Sequence, residues 1–319
     1  MVEVYEYPTR EHWLKARRHT IGGSDAATIL GLNPFNSPYA LWYEKVYGVR
    51  VRQIQPKAQR IMEIGTLFEE PICQLYAAET ERQLNNLGAF SIHKTPAYPW
   101  AHSTIDREIL APDKPGPGIL EAKNTGGWAR DLWKDGAVPL TALIQLQHNL
   151  AVTGRDWGSV VGLVGGWQVQ LFSQDFDRNQ VFVEYLMERE AEFHWQVQHR
   201  KPPKVDGHEA TRAVLDHRYP KPTDDVERRY ITLPPESMEW HKELQQLDAQ
   251  VKNITADLKL HEARQAILEN TFLEAIQDHE IGIIPGTAEG YKIAIRHQRA
   301  RVQVSNFTEK TIRTLKRIK

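Results

Sequence analysis

The chain has 319 residues, 41% hydrophobic and 25% charged, with a formal net charge of −1. That length allows one full core and a second, smaller unit, and the ordinary globular composition contains no run of about twenty apolar residues, so no membrane span is expected. A single cysteine, Cys73, excludes an internal disulfide framework, and the opening M-V-E-V-Y-E lacks the basic-then-apolar pattern of a secretory leader, so a reducing cytosol is expected.

Residues 9–20 read as a helix with Trp13 on its apolar side and Lys15, Arg17, Arg18 and His19 in its last turns. Gly22-Gly23 break it, and Ser24 or Asp25 can cap the next helix, A-A-T-I-L, which Gly31 ends. A Gly-Gly-Ser turn that opens a helix also exposes backbone N–H groups and a hydroxyl, a seat for phosphate, so Ser24 has both a capping and a phosphate-binding reading. Ser37-Pro38 open a third helix, stopped at Gly48, whose Tyr39, Trp42, Tyr43 and Tyr47 are expected in the core. After a basic, proline-broken loop, a long helix runs to about Thr80. It carries Cys73, expected to be packed, and Glu69-Glu70, of which at least one should face solvent or a metal, because a buried, unpaired carboxylate is costly.

Strands are expected over Phe90–Thr95 and Trp100–Leu110, followed by the stretch His102–Lys123, which reads as a β-hairpin. Its turn, A-P-D-K-P-G-P-G, is too rich in proline and glycine to continue either regular structure. Alternation on the second strand sends Glu121 and Lys123 to one face, where Asp106 on the partner strand can join them. Two carboxylates beside an ammonium form a hard-oxygen site for Mg²⁺ or Mn²⁺, suited to phosphodiester hydrolysis. E-x-K by itself is too short to assign that chemistry; the upstream Asp and the flanking segments give it weight.

A glycine-rich basic loop follows, then an apolar helix from near Pro139 to Gly154, in which Gln145 and Gln147 are polar exceptions, either solvated or turned to substrate. Two strands joined at Gly165-Gly166 and an amphipathic helix over about Arg178–His199 close a unit spanning 1–205. Residues 206–233, rich in Pro, His and charge, read as a linker, and 234–319 form a C-terminal extension. There, Trp240, Leu244, Leu247, Val251, Ile254 and Leu258 alternate in steps of four and three, a coiled-coil seam on one long helix or an antiparallel pair. Paired strands and a short terminal helix after Ser305 complete the chain. Tyr291–Lys319 holds nine Lys/Arg against one acid, Glu309, so this end is basic and the remainder acidic: a phosphate-binding tail or a solvated helix. No H-E-x-x-H, P-loop or G-x-S-x-G motif is present, leaving zinc hydrolysis, an ATPase motor and serine hydrolysis unsupported.

Taken in order, W-L-K-A-R-R-H-T-I-G-G-S-D-A-A-T-I-L-G-L-N-P-F-N-S-P-Y-A-L-W-Y-E-K, M-E-I-G-T-L-F-E-E-P, S-T-I-D, L-E-A-K and A-L-I-Q-L-Q-H-N-L-A-V-T-G resemble the YqaJ-like viral recombinase family, relatives of phage lambda exonuclease among the PD-(D/E)XK nucleases. The resemblance covers roughly residues 10 to 200. It implies an α/β nuclease core with a mixed central sheet flanked by helices, and the helical and short β extension adds to that core. By the same resemblance, Asp106, Glu121, the Ala122 carbonyl and Glu69 hold Mg²⁺, with Mn²⁺ able to substitute. Lys123 serves the attacking water, Gln145 lies near the active site, and Arg17 with Ser24 takes a DNA 5′-phosphate. The implied activity is 5′→3′ digestion of linear duplex DNA in a bacterial or phage-infected cell, leaving a 3′ single strand for an annealing protein, from a ring commonly of three copies. An endonuclease on the same core, or a DNA-binding scaffold with a vestigial site, are the alternatives. One or two metals remain open. This sequence departs from the family pattern at Arg107, where glycine is usual, and in its doubled Glu69-Glu70, either of which could be the functional acid.

Overall fold

The computed structural model describes residues 1–51, 56–88, 90–165, 169–220, 230–277, 279, 281–285, 290–300 and 308–318. It divides into two units, Met1–Val226 and Glu227–Lys319.

In the first unit, β1 (Glu3–Glu6) precedes α1 (Arg10–Arg17), capped by Thr9 Oγ1, which accepts the His12 N–H. Then β2 (Ile21–Gly22) runs into α2 (Gly23–Ile29). Gly22 occupies the cap position, so neither Ser24 nor Asp25 is the cap. Asp25 instead accepts the Gly22 N–H at 3.1 Å and pairs with Lys45 at 2.7 Å. Ser37 caps α3 (Pro38–Tyr47) through the Ala40 N–H, and Gly48, at φ 71°, ends it in the left-handed conformation that glycine adopts without a Cβ clash. Tyr39, Trp42 and Tyr43 are core residues, as expected, whereas Tyr47 is exposed.

The long helix is α4 (Pro56–Thr80), followed by β3 (Gln83–Asn85), β4 (Ser91–Lys94), β5 (Ala101–His102) and the hairpin β6 (Arg107–Leu110) and β7 (Gly118–Thr125). A 3₁₀ segment, Gly127–Trp133, leads to α5 (Leu140–Thr153), which ends at Gly154. Then come β8 (Trp157–Val164), β9 (Gln170–Asp177) and α6 (Gln180–Gln198); part of the connection expected to be a Gly165-Gly166 turn lies outside the described residues. The expected linker is partly structured: α7 (Glu209–Arg218) buries Ala210, Thr211 and Val214, and Val214 joins the core built on α3.

Five strands form one mixed sheet in the order β3-β6-β7-β8-β9, antiparallel except for β7 and β8. Parallel neighbours need a crossover, and α5 supplies it. α4 covers one face through Ile72, Cys73 and Tyr76 against Ile109, Leu120 and Val161, and α5 covers the other through Ala142, Leu146 and Leu150 against Ile119 and Val160. This is the α/β architecture, with a mixed central sheet flanked by helices, that the sequence implies. α2 and α6 pack behind α5 through Ala26, Ala27, Ile144, Leu186 and Met187.

The second unit holds one uninterrupted helix, α8 (Ser237–Ile276), and a three-stranded sheet of β10 (Ile281–Ile283), β11 (Gly290–Ala300) and β12 (Thr308–Ile318). The short terminal helix expected after Ser305 is instead β12, paired with β11 from Gly290↔Ile318 to Ala300↔Thr308. Ladder hydrogen bonds along an 11-residue strand replace the local ones of a marginal terminal helix. Among the described residues, no helix is long and apolar enough to cross a membrane.

Candidate active site

Alternation along β7 places Ile119 against α5 and Leu120 and Ala122 against α4, so Glu121 and Lys123 fall on the α5 face. Asp106 stands one residue before β6, and the register that sets Arg107 against Leu120 sets Asp106 against Glu121. Opposed residues in an antiparallel pair share a face. Asp106 Oδ2 accepts the Ala122 N–H at 2.7 Å, which fixes the carboxylate beside the E-A-K strand. The sequence-predicted trio is therefore assembled.

Lys123 Nζ donates to Glu121 Oε1 at 2.6 Å and to Gln145 Oε1 at 3.0 Å. Burial alone would favour the neutral amine, but Glu121 and Asp106 outweigh it and hold Lys123 above its ordinary range. Lys123 thus stands as the donor to both Glu121 and Gln145. Burial pushes Glu121 up to about 7, with Lys123 pulling it down and Asp106 pushing it further up. Asp106 is likewise raised by burial, opposed by Lys123 and the Ala122 N–H.

α4 delivers its two acids unequally. Arg107, on the face of β6 that meets α4, pairs with Glu69 at 3.4 Å and with Glu70. Glu70 is exposed, and its hydrogen bond to Arg107 holds it below the usual carboxylate range. Glu69 is half-buried and raised, first by burial and then by the charge of Asp106. Of the doubled pair, Glu69 is the acid beside the site, but its nearest cation is the arginine that departs from the family pattern. Cys73, one turn on, is buried with its thiol pushed up to about 12, which makes it unreactive packing.

Gln145 and Gln147 diverge. The first reaches Lys123; the second is buried, donating to Asp177 O at 2.9 Å and accepting the Asn179 N–H at 2.8 Å, and so ties β9 to α6. Two residues of the site escape sequence reasoning. Asn149, fully buried one turn after Gln145, donates to Glu121 Oε2 at 3.3 Å and accepts from Ser103 Oγ at 2.9 Å. The signal was available, since Gln145 and Asn149 are four apart on an apolar helix and therefore share a face.

Arg17 stacks on Trp13 at 4.1 Å and donates from Nε to His102 Nε2 at 3.1 Å. That bond makes Nε2 an acceptor, so Nδ1 carries the proton and donates to Thr20 Oγ1 at 2.8 Å. Burial, then the charge of Arg17, holds His102 well below its ordinary range, so the ring is neutral. Its atoms lie 2.8 Å from where a Cβ on Gly22 would sit, and a Cβ on Gly23 would meet Asn149 Oδ1 at 2.9 Å. Close approach is thus why two glycines open α2. Arg17 and the first turn of α2, with Ser24 exposed on it, flank the same imidazole.

Among the described residues, no three Asp, Glu, His or Cys side chains converge closely enough to enclose a metal ion. The site instead offers two buried carboxylates against one buried ammonium, which leaves one negative charge uncompensated when both are ionised. That donor set fits Mg²⁺, which keeps several waters and binds through one or two carboxylates.

Residues 12–156 match the family model of the YqaJ-like viral recombinase domain. The chain is 27% identical over 280 residues to the uncharacterized protein YqaJ of Bacillus subtilis (strain 168), covering 86% of this chain and 81% of that one. Among solved structures, it is similar to an alkaline exonuclease (LHK-Exo) from Laribacter hongkongensis, with 19% identity, 60% of this chain and 94% of the other covered, and TM-score 0.48. A phage related exonuclease from Haemophilus somnus 129PT matches with 10% identity, coverage of 57% and 96%, and TM-score 0.40. The resemblance to the YqaJ-like viral recombinases read from the sequence is borne out.

Proposed function

We propose that this chain is a Mg²⁺-dependent deoxyribonuclease that digests one strand of linear duplex DNA from its end, 5′→3′, leaving a 3′ single strand for an annealing protein in phage-type recombination. The observation that carries the reading is the convergence of Asp106, Glu121 and Lys123 on one face of the β6–β7 hairpin, with Lys123 held between Glu121 and Gln145. A divalent ion held by Asp106, Glu121 and the Ala122 carbonyl would polarise a phosphoryl oxygen and acidify a water.

The chain's own groups do the positioning. Lys123, kept charged, donates to the incoming water or to the charge that builds on phosphorus. The water adds opposite the 3′-oxygen, and the P–O3′ bond breaks with its electron pair going to that oxygen. One proton leaves the water and one is gained by the departing oxygen, so the new end carries a 5′-phosphate. Arg17 and Ser24 supply a cation and a hydroxyl for the terminal 5′-phosphate.

The test is digestion of end-labelled linear duplex against closed circular duplex in Mg²⁺. Release from linear ends alone is expected, lost in Glu121→Gln and in Lys123→Ala with the far-ultraviolet circular dichroism unchanged. Cutting of the circle would replace this reading with an endonuclease. Binding without hydrolysis in both Mg²⁺ and Mn²⁺ would replace it with a scaffold, and wild-type digestion by both variants would remove the assigned residues.

A further inference from the structure

The second unit presents a surface that the nuclease chemistry does not use. Along α8, the six seam residues Trp240, Leu244, Leu247, Val251, Ile254 and Leu258 are between 48% and 66% exposed, although they alternate in steps of four and three. A stripe of that regularity is the pattern of a helix that buries it in another helix. A 40-residue helix whose burial is confined to its last turns lacks the tertiary packing from which most helical stability comes. Burial begins at Phe272 and Leu273, both half-buried, and reaches Ile276, which packs where a Cβ on Gly282 of β10 would sit. The apolar seam itself stops at Leu258, the next positions of the repeat being His261, Gln265 and Leu268, and the exposed stretch of the helix ends close to Leu268.

We propose that α8 pairs with α8 of a second copy as an antiparallel coiled coil, with Val251 of one chain opposite Ile254 of the other. Charge selects this arrangement. In heptad terms Leu244, Val251 and Leu258 are a positions and Trp240, Leu247 and Ile254 are d positions, so Glu243 and Arg264 are g positions and His241 and Glu262 are e positions. A parallel pair would set Glu243 against Asp248 and Asp257 against Glu262, two like-charge contacts on each side against one attractive contact, Arg264 with Glu269. The antiparallel pair centred between Val251 and Ile254 sets Glu243 against Arg264 and His241 against Glu262, each twice. Sliding it by one heptad in either direction restores acid-on-acid contacts, Asp257 on itself one way and Asp248 on itself the other. In the chosen register the two helices overlap over about 30 residues, on the order of 45 Å. The overlap ends at Leu268, where the helix turns to its own β10. Two independent features, the charge pattern and the point at which self-burial begins, select one register.

Such a two-fold contact closes on itself after two copies, which differs from the ring of three implied by the family resemblance. It stands whether or not the chain is a nuclease.

The test is the mass of the full chain in solution, by light scattering or sedimentation at micromolar concentration. Two copies are expected, and Leu247→Glu with Ile254→Glu should yield one copy with the nuclease unit still folded. Glu243→Lys alone and Arg264→Glu alone should each raise the dissociation constant about tenfold or more, through like-charge contacts made twice. Mixing these two single variants should restore association, because each lysine then faces a glutamate and each remaining arginine the other glutamate. A single-copy wild type, a three-copy mass that the α8 substitutions leave unmoved, or tighter association of Glu243→Lys alone, as a parallel pair requires, would each overturn the proposal.

Discussion

Truncating Asn149 to alanine tests how the site holds its buried carboxylate. The amide makes one hydrogen bond to Glu121 at 3.3 Å and receives one from Ser103 at 2.9 Å, all within fully buried surroundings. A bond to a charged group contributes about 1.5–3 kcal/mol and a neutral one about 1 kcal/mol, and Ser103 would keep a buried hydroxyl without its acceptor. The two losses share one side chain, so they do not simply add; a destabilisation of about 3 kcal/mol is expected in urea unfolding without Mg²⁺. Removing the partner that orients a metal-binding carboxylate commonly costs about 10–100-fold in metal affinity or activity. Titrating digestion of linear duplex with Mg²⁺ should therefore show the half-saturating concentration rising by about that factor. Ser103→Ala, which leaves the amide free to turn, should shift it in the same direction by less. If Asn149→Ala kept both wild-type stability and wild-type Mg²⁺ dependence, the bridge would be a passive contact and the reasoning would fail.

Arg17→Ala should bring the ratio of digestion rates on 5′-phosphorylated and 5′-hydroxyl ends to about one, whereas an unchanged ratio would remove Arg17 from end recognition. Gly23→Ala puts a Cβ 2.9 Å from Asn149 Oδ1 and 3.0 Å from Gln145 Cγ, so it should cost about 1–3 kcal/mol in unfolding and slow digestion; wild-type behaviour in both assays would show that α2 shifts freely. The buried His148–Glu190 pair, 2.8 Å apart, gives a pH signature. Burial opposes the His148 charge, but Glu190 and the His102 carbonyl raise its pKa above 6.5; burial also raises Glu190, against His148. Groups whose folded values are raised stabilise fully below their unfolded values and lose that contribution as pH rises. The Glu190 contribution is thus lost as pH rises above about 4.5 and the His148 contribution above about 6.5, so unfolding free energy should fall through both windows in the wild type, and a Glu190→Gln variant should show a shallower fall; equal slopes would deny the pair this role.

The site was legible where strand and helix periods decide the outcome. Two-residue alternation put Glu121 and Lys123 on one face, and a turn too rich in proline and glycine to be anything else brought Asp106 opposite them. Gln145 was visible as a polar residue on an apolar helix, but nothing local separates it from Gln147. Only the packing of β9 and α6 shows that one faces the lysine and the other ties a loop. Arg107 stood out as a departure, yet its hold on Glu69 and Glu70 depends on how α4 lies over the sheet. α7 was hidden because Ala210 and Val214, four apart, sit among proline and charge, and their apolar pair has meaning only once α3 is beside it. The terminal segment misled for a related reason: Ile312, Leu315 and Ile318 repeat every third residue as on a helix, whereas partnership with β11 makes the segment a strand.

His102 and Ser103 are adjacent, and their side chains diverge. One imidazole, locked in a single tautomer, meets Arg17; the next hydroxyl meets the Asn149 amide, which also donates to Glu121. On the proposed function, this dipeptide is the link between the arginine that takes the DNA end and the carboxylate beside which the strand is cut. A link of this kind does not stretch, so each round of cutting should then remove the same increment of DNA, seen as released fragments of one length.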